Sequence, residues 1–472
     1  MVIRWSVRPV RCSQGHIRLR GVHSPDILRA AHRVTGTSTA HSSAPHVALG
    51  LRENARQFAL LVLVNAFVGA VVGVERSVLP LLAKERFGVV SSTALFGFVA
   101  AFGIAKALAN FAAGDLAGRV GRRPVLIVGW ILALPVPLLL MWAPSWRWVV
   151  AANLLLGVSQ GLTWSMTVIM KIDLVGPARR GLAMGLNEAA GYGSVALAAA
   201  GAAFVAAAYG PARAPFLIAL VAALLGLGVS VLWVNDTSAH VRLEGGARDA
   251  AREPARSPPA GNAFARLLHF TTASRTLVGV HQAGLVNNLN DGVAWALLPL
   301  LFVAGGLSLR KIGLLAALYP ATWALAQIAT GTLSDRTAAQ SGRRAWIAGG
   351  MMAQAAALLI FGVAQGVVPW TIAAVLLGLG TASVYPTLLA EVADAVPPAE
   401  RAPAVGTYRL WRDLGYVVGA LMAGALADHW GMRVAVVATA GLTALSGLAS
   451  AILLPGARQP LVVPSLNNYT TL

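Results

Sequence analysis

Residues 124–143, 214–234, 345–369 and 434–455 contain no Asp, Glu, Lys or Arg. A helix needs ~20 apolar residues to cross the hydrocarbon core of a bilayer, and each of these runs is long enough. Similar stretches carrying only isolated charges lie at about 58–83, 91–113, 147–171, 181–208, 276–303, 310–331, 370–393 and 404–427. The expected fold is an all-α membrane protein of twelve transmembrane helices, six on each side of a polar stretch at 236–270. Composition points the same way: 57% of the 472 residues are apolar and 12% charged. A soluble domain carries about a quarter charged residues.

The second half also rereads the first. Gly157, Asp173, Pro177, Arg180 and Gly185 recur 221 positions later as Gly378, Asp394, Pro398, Arg401 and Gly406. Parallel repeats in an apolar chain suggest two pseudo-symmetric six-helix bundles facing each other across a central path, a common transporter architecture. The expected organisation is a basic extension at 1–56, bundles at 57–235 and 274–456, a linker at 236–273 and a tail at 457–472. Residues 1–50 hold seven arginines, five histidines and one acid, Asp26. They read either as a basic arm near anionic lipid, as a presequence, or as residues upstream of a true start near Val47.

The net charge of +19 follows topology rather than nucleic-acid binding. With the first span starting inside, arginines and lysines concentrate in the connections at 114–123, 171–180, 236–275 and 332–344. Cationic loops favour the cytoplasmic side, so both termini are expected there, in a multi-pass protein of the cell inner (cytoplasmic) membrane. The single Cys12 excludes an internal disulfide or a multi-cysteine metal site. The nine histidines show no ligand spacing. No metal, cofactor or catalytic group is expected, and without a Walker sequence an ATP-driven pump is disfavoured.

The sharpest motif is Gly114-Asp115-Leu116-Ala117-Gly118-Arg119-Val120-Gly121-Arg122-Arg123-Pro124, after the second span. It resembles the signature G-x-x-x-D-R/K-x-G-R-R/K of the major facilitator superfamily. A counterpart, Gly331-Thr332-Leu333-Ser334-Asp335-Arg336 with Gly342-Arg343-Arg344 after an insertion, lies in the second half. The resemblance covers about 57–456. It implies a cytoplasmic gate built from Gly114, Arg119, Gly121, Arg122, Arg123, Gly331, Asp335 and Arg336. It also implies that the loop cations meet acids ending the fourth and tenth spans, which Asp173 and Asp394 match. Arg122 with Asp173 is thus the expected latch that holds the cytoplasmic side closed, unless Arg122 and Arg123 only enforce topology. Three departures stand out. Gly118 occupies the signature's acidic position, the fourth span reads Gly157-Val158-Ser159-Gln160-Gly161 without the arginine of R-x-x-Q-G, and the fifth lacks a glycine-proline signature.

Ionisable groups inside spans cost at least ~2.5–3.5 kcal/mol at the bilayer centre, so they ordinarily face a cavity or a partner. Glu75 and Arg76, Glu188, Asp291 and Arg409 are such groups; Lys106 is a weaker case. Glu75, Glu188 and Asp291 are candidates to carry a proton or bind a cationic solute. Glu188 and Arg409 are repeat mates, read either as a pair that breaks between access states or as a static one. The seventh span carries Asn287-Asn288-Leu289-Asn290-Asp291-Gly292. Asn287, Asp291 and Trp295 share one helical face. They either touch solute, with Asn288, or bond neighbouring helices. Trp164 and Tyr385, also repeat mates, form either a wall for an apolar solute or packing.

The expected function is secondary active transport of a small solute by alternating access, with proton-coupled efflux as one form. Its partners would be the solute, the lipid bilayer and protons, with no nucleic acid, and the protein would act as a monomer. A non-transporting sensor on the same scaffold is the alternative.

Overall fold

The computed structural model describes residues 47–88, 92–249 and 262–456. The basic arm at 1–46 and the tail at 457–472 lie outside the described residues. The first bundle contains α1 (Ala55–Phe87), α2 (Ser92–Val120), α3 (Arg122–Ala133), α4 (Pro135–Met141), α5 (Trp146–Val175), α6 (Arg180–Tyr209) and α7 (Ala214–Leu232). Then come α8 (Ser238–Asp249) and α9 (Ala263–Thr272). The second bundle contains α10 (Arg275–Ala304), α11 (Leu309–Ser341), α12 (Arg344–Val363), α13 (Val367–Ala395), α14 (Arg401–Trp430) and α15 (Met432–Leu453).

α3 and α4 form one span. Pro135 lacks the N–H that would continue the ladder, but Leu134 keeps helical angles, so the chain runs on in the same direction. Twelve spans result among the described residues, six per bundle, as the apolar runs predicted. Nine described helices are apolar enough to span by composition alone. α2, α10 and α14 fall outside that set, and they carry Lys106, the 287–291 cluster and the 409–413 cluster. Large apolar side chains such as Leu197, Phe204 and Leu325 are well exposed on the outside, a surface suited to hydrocarbon.

Within the bundles α1 packs on α6, α2 on α5, α10 on α14 and α12 on α15. Between them, α2 crosses α14 and α6 crosses α11. Both crossings depend on missing side chains. A Cβ added at Gly114 would lie 2.4 Å from the Ala402 carbonyl oxygen, and one at Gly331 would lie 2.3 Å from that of Gly181. The two contacts are repeat images, since Gly181 and Ala402 are 221 apart. Any larger residue would push the backbones apart.

The linker differs from its sequence reading. Residues 238–249, inside a stretch with linker chemistry, form α8. Its anchor is tertiary: Glu244 is buried at 3% exposure between two arginines, one from each bundle.

Candidate functional site

The candidate gate residues lie at the face where the linker meets the bundles. Two triads of side chains join the bundles there, and every member has its mate at the 221 offset. In one, Asp173 at the end of α5 accepts from Arg122 Nε at 3.2 Å and from Arg401 Nη1 at 3.1 Å. In the other, Asp394 at the end of α13 accepts from Arg343 and from Arg180. Arg122 and Arg343 each stay within their own bundle; Arg401 and Arg180 cross to the other. The inter-bundle clamp is therefore Arg401 on Asp173 and Arg180 on Asp394. Arg122 with Asp173 is an internal pair that orients the acid.

Glu244 joins both crossing arginines. Its Oε1 accepts from Arg180 Nη2 at 2.7 Å and from Arg401 Nη2 at 2.8 Å. Both arginines are fully buried. Buried ion pairs do not by themselves stabilise a fold, but losing one partner leaves the other charge uncompensated. Thr237 of the linker adds a 2.9 Å hydrogen bond to Asp173. The carboxylate of Asp236 accepts from the backbone N–H groups of Arg122 and Arg123 at 2.7 and 2.9 Å, capping α3 from outside its own segment. Burial pushes the Asp236 carboxyl up, but hydrogen bonds from Ser238 and these N–H groups outweigh it and hold the group below its ordinary value.

Asp335 caps across the bundle interface. It accepts from the N–H groups of Gly181 and Leu182 at 2.8 and 2.9 Å, at the start of α6, and from Arg343 at 2.7 Å. The repeat image of this arrangement is absent for a specific reason. In the loop motif the position matching Asp335 is Gly118, and at the 221 offset the positions matching Gly181 and Leu182 are Ala402 and Pro403. Proline has no N–H to offer, so the acid and one of its donors are missing together.

The remaining gate candidates sit at the edge. Arg119 is 58% exposed and pairs with Asp115, which also binds Arg266 of α9. Arg123 reaches the Val231 carbonyl, Gly121 takes a left-handed φ of 92° before α3, and Arg336 is exposed. Arg343, not Arg336, holds Asp335.

The centre is a buried polar cluster shared by both bundles. Asp413 on α14 pairs with Lys106 of α2 at 3.2 Å and with Arg412 at 2.8 Å, and accepts from Asn110 at 2.7 Å. Arg412 lies 4.1 Å above the Tyr385 ring and donates to the Tyr192 hydroxyl at 3.0 Å. Trp164, Tyr192, Trp323 and Tyr385 form a row with successive ring centroids 5.4, 4.3 and 5.8 Å apart. Glu188 accepts from Trp164 Nε1 at 3.2 Å and from Asn187 at 2.6 Å through one oxygen; the other has no partner. Arg409 is fully buried and donates only a long 3.4 Å bond from Nε to Asn110, leaving Nη1 and Nη2 without partners. Glu188 and Arg409 form no ion pair in this structure.

Glu75 is buried at 3% exposure, and neither carboxyl oxygen meets a hydrogen-bond donor. Among the described residues no cation lies within ion-pair distance of it; its neighbour Arg76 is exposed. Asp291 accepts from the Tyr319 hydroxyl. Asn287 accepts from Gln354 of α12 at 2.9 Å, and Asn288 donates to the Arg412 carbonyl at 2.9 Å. The seventh span thus divides: Asn287 and Asn288 tie α10 to its neighbours, while Asp291 turns to α11. Trp295 is 48% exposed and stays out of the aromatic row. Two shallow grooves lined by residues such as Leu138 and Trp142, or Trp346 and Leu379, contain none of these charges.

A family model for the Major Facilitator Superfamily matches residues 59–279 and 282–467. The chain belongs to the major facilitator superfamily. Solved structures with the same fold include the human organic anion transporter MFSD10 (TETRAN), at 17% identity and TM-score 0.65, covering 84% of this chain and 99% of that one. The proton:xylose symporter XylE, bound to a bromodeoxyglucose, is 18% identical with TM-score 0.66, covering 86% and 98%. The transporter FucP in its outward conformation is 13% identical with TM-score 0.66, covering 84% and 98%. The superfamily's members move solutes across membranes, so the chain is a multi-pass transport protein and not an enzyme.

Four of the residues that hold this face together were not among the gate candidates. Arg180, Arg401 and Arg343 were visible as repeat mates or motif residues, and the 221 offset pairs Arg122 with Arg343 as well. Glu244 had no signal, because it has no repeat image and lies in a polar linker. In the centre, Asn110 was an unremarked amide on an apolar span, yet it accepts from Ser165 and Arg409 and donates to Asp413.

Proposed function

We propose that this protein is a secondary active transporter that moves a small solute by alternating access and couples the movement to protons through Glu75. The linker face is taken as cytoplasmic, consistent with its arginines. Closed there by the crossing pairs, the molecule corresponds to the half-cycle in which solute enters from the opposite face. Among the described residues no comparable set of ion pairs joins the bundles on that opposite side.

The observation that carries the coupling is the isolation of Glu75. A buried carboxylate without a partner is costly, whereas the protonated acid is tolerated in an apolar site. An acid that must be neutral while enclosed, and can ionise when its side opens to water, links proton release to the conformational cycle. The superfamily's usual arginine in the fourth span is missing, so the relay cannot run through it. Asp291 and Glu188 are weaker choices, because each already accepts hydrogen bonds.

The test uses proteoliposomes with a trapped pH dye and a library of small solutes. A transported solute should drive proton movement with the parent protein and not with Glu75→Gln, which should still exchange labelled solute. Proton movement that survives in Glu75→Gln would remove Glu75 from the coupling step. No solute response in any protein of the set would argue for a sensor.

A further inference from the structure

The central cluster contains a buried cation that no carboxylate answers. Lys106, Lys171, Arg409 and Arg412 are buried or nearly so. Four carboxyls oppose them: Asp413, Glu188, Asp291 and Glu75. Asp413 is shared by Lys106 and Arg412, Asp291 is engaged by Tyr319, and Glu75 touches no cation. Lys171 donates to Asn187, beside Glu188. Among the described residues that leaves Arg409 with no carboxylate within ion-pair distance and two unsatisfied terminal nitrogens at zero exposure. A guanidinium in that position presents a planar fork matched to a carboxylate. Tyr385 and the sequence neighbour Tyr408 keep hydroxyls without partners within range of the Arg409 charge, and the four-ring row begins at Tyr385.

We propose that Arg409 anchors the carboxylate of an aromatic monocarboxylate, whose ring lies along the Trp164, Tyr192, Trp323 and Tyr385 row. This rests on the transport reading above and names the substrate class for it. An anion supplies the partner that Arg409 lacks, and the rings supply stacking surface that a sugar would use less well. A cationic solute would leave that guanidinium without a partner. Because the site is sealed in this state, binding requires the face opposite the linker to open.

The test is a thermal-shift titration of the purified full-length protein with benzoate, cinnamate, benzamide and benzylammonium. The two carboxylates should raise Tm in a saturable way, and the amide and the amine should not. Arg409→Gln should weaken benzoate binding by about ten- to hundredfold, the span expected for lost charge-assisted hydrogen bonds. Arg409→Lys, which keeps the charge and loses the fork, should fall between. Removing an uncompensated buried cation should leave Arg409→Gln folded, with an unliganded Tm no lower than the parent. Equal shifts with benzamide and benzoate, or undiminished benzoate binding in Arg409→Gln, would overturn the proposal. So would equal loss of binding in Glu188→Gln, which would make Arg409 an internal partner of Glu188. The two readings separate cleanly. Arg409-dependent benzoate binding without solute-driven proton movement defeats transport alone. Glu75-dependent movement of a neutral or cationic solute, with no benzoate shift, defeats the anion site alone.

Discussion

Replacing Glu244 with Ala should open the linker face. In the closed state Glu244 Oε1 accepts from Arg180 Nη2 at 2.7 Å and Arg401 Nη2 at 2.8 Å, and both arginines have zero exposure. Removing the carboxylate strands one guanidinium nitrogen on each, while Asp394 and Asp173 still neutralise their charge. A hydrogen bond to a charged group contributes about 1.5–3 kcal/mol, and the remaining acids argue for the lower end. Two such losses come to about 3 kcal/mol, or about a hundredfold shift from closed to open. The open state loses little, because there the arginines are hydrated. Ser334 reports the change: it is fully buried, and its Oγ lies 2.7 Å from where a Cβ on Gly181 would stand, at the crossing of α11 and α6. In a Cys12→Ala background, maleimide should modify Ser334→Cys far faster when Glu244→Ala is added, approaching the hundredfold limit. A rate within twofold of the parent, from protein that remains monodisperse with unchanged Tm, would refute the idea that α8 staples the gate.

Glu75→Gln should be structurally silent, with Tm within about a degree of the parent, since no partner is lost; a large drop would show that Glu75 is ionised and paired. Gly118→Asp alone should change gate labelling little, because the new acid meets only the Ala402 N–H. Combined with Pro403→Leu it should recreate the cap that Asp335 makes on α6, and slow Ser334→Cys labelling by about tenfold. Equal effects of the single and double variants would refute the cap account. Asp236→Asn should lower Tm at neutral pH. Since the folded carboxyl titrates below its ordinary value, its stabilisation is full above that value and is lost as pH falls through the lower folded one. The gap between parent and variant should therefore narrow from about pH 5 towards pH 3, as followed by Tm. A gap that widens on acidification would reverse the sign of the argument.

Much of the architecture was legible because bilayer insertion imposes a one-dimensional rule. A run of ~20 uncharged apolar residues has few alternatives to a spanning helix, so the spans and their division into bundles could be read without tertiary information. The 221 offset carried more than it first disclosed. It lists the members of both gate triads, Arg122, Asp173 and Arg401 with Arg343, Asp394 and Arg180, because duplication preserves local chemistry. It cannot say which arginine stays in its own bundle and which crosses. The expected pair of Arg122 with Asp173 is present but lies within one bundle, while the crossing to Asp173 comes from Arg401, since partner choice depends on where α3 and α14 start relative to the end of α5. The unpaired state of Glu75 and Arg409, and the three-way sharing at Asp413, are likewise settled only by how α1, α2 and α14 are rotated in the packed bundles. Helical periodicity assigns a face but not the neighbour opposite it. The linker is the clearest case. Residues 238–249 are polar and without repeat image, and only the approach of two buried guanidinium groups makes Glu244 the point where both halves meet.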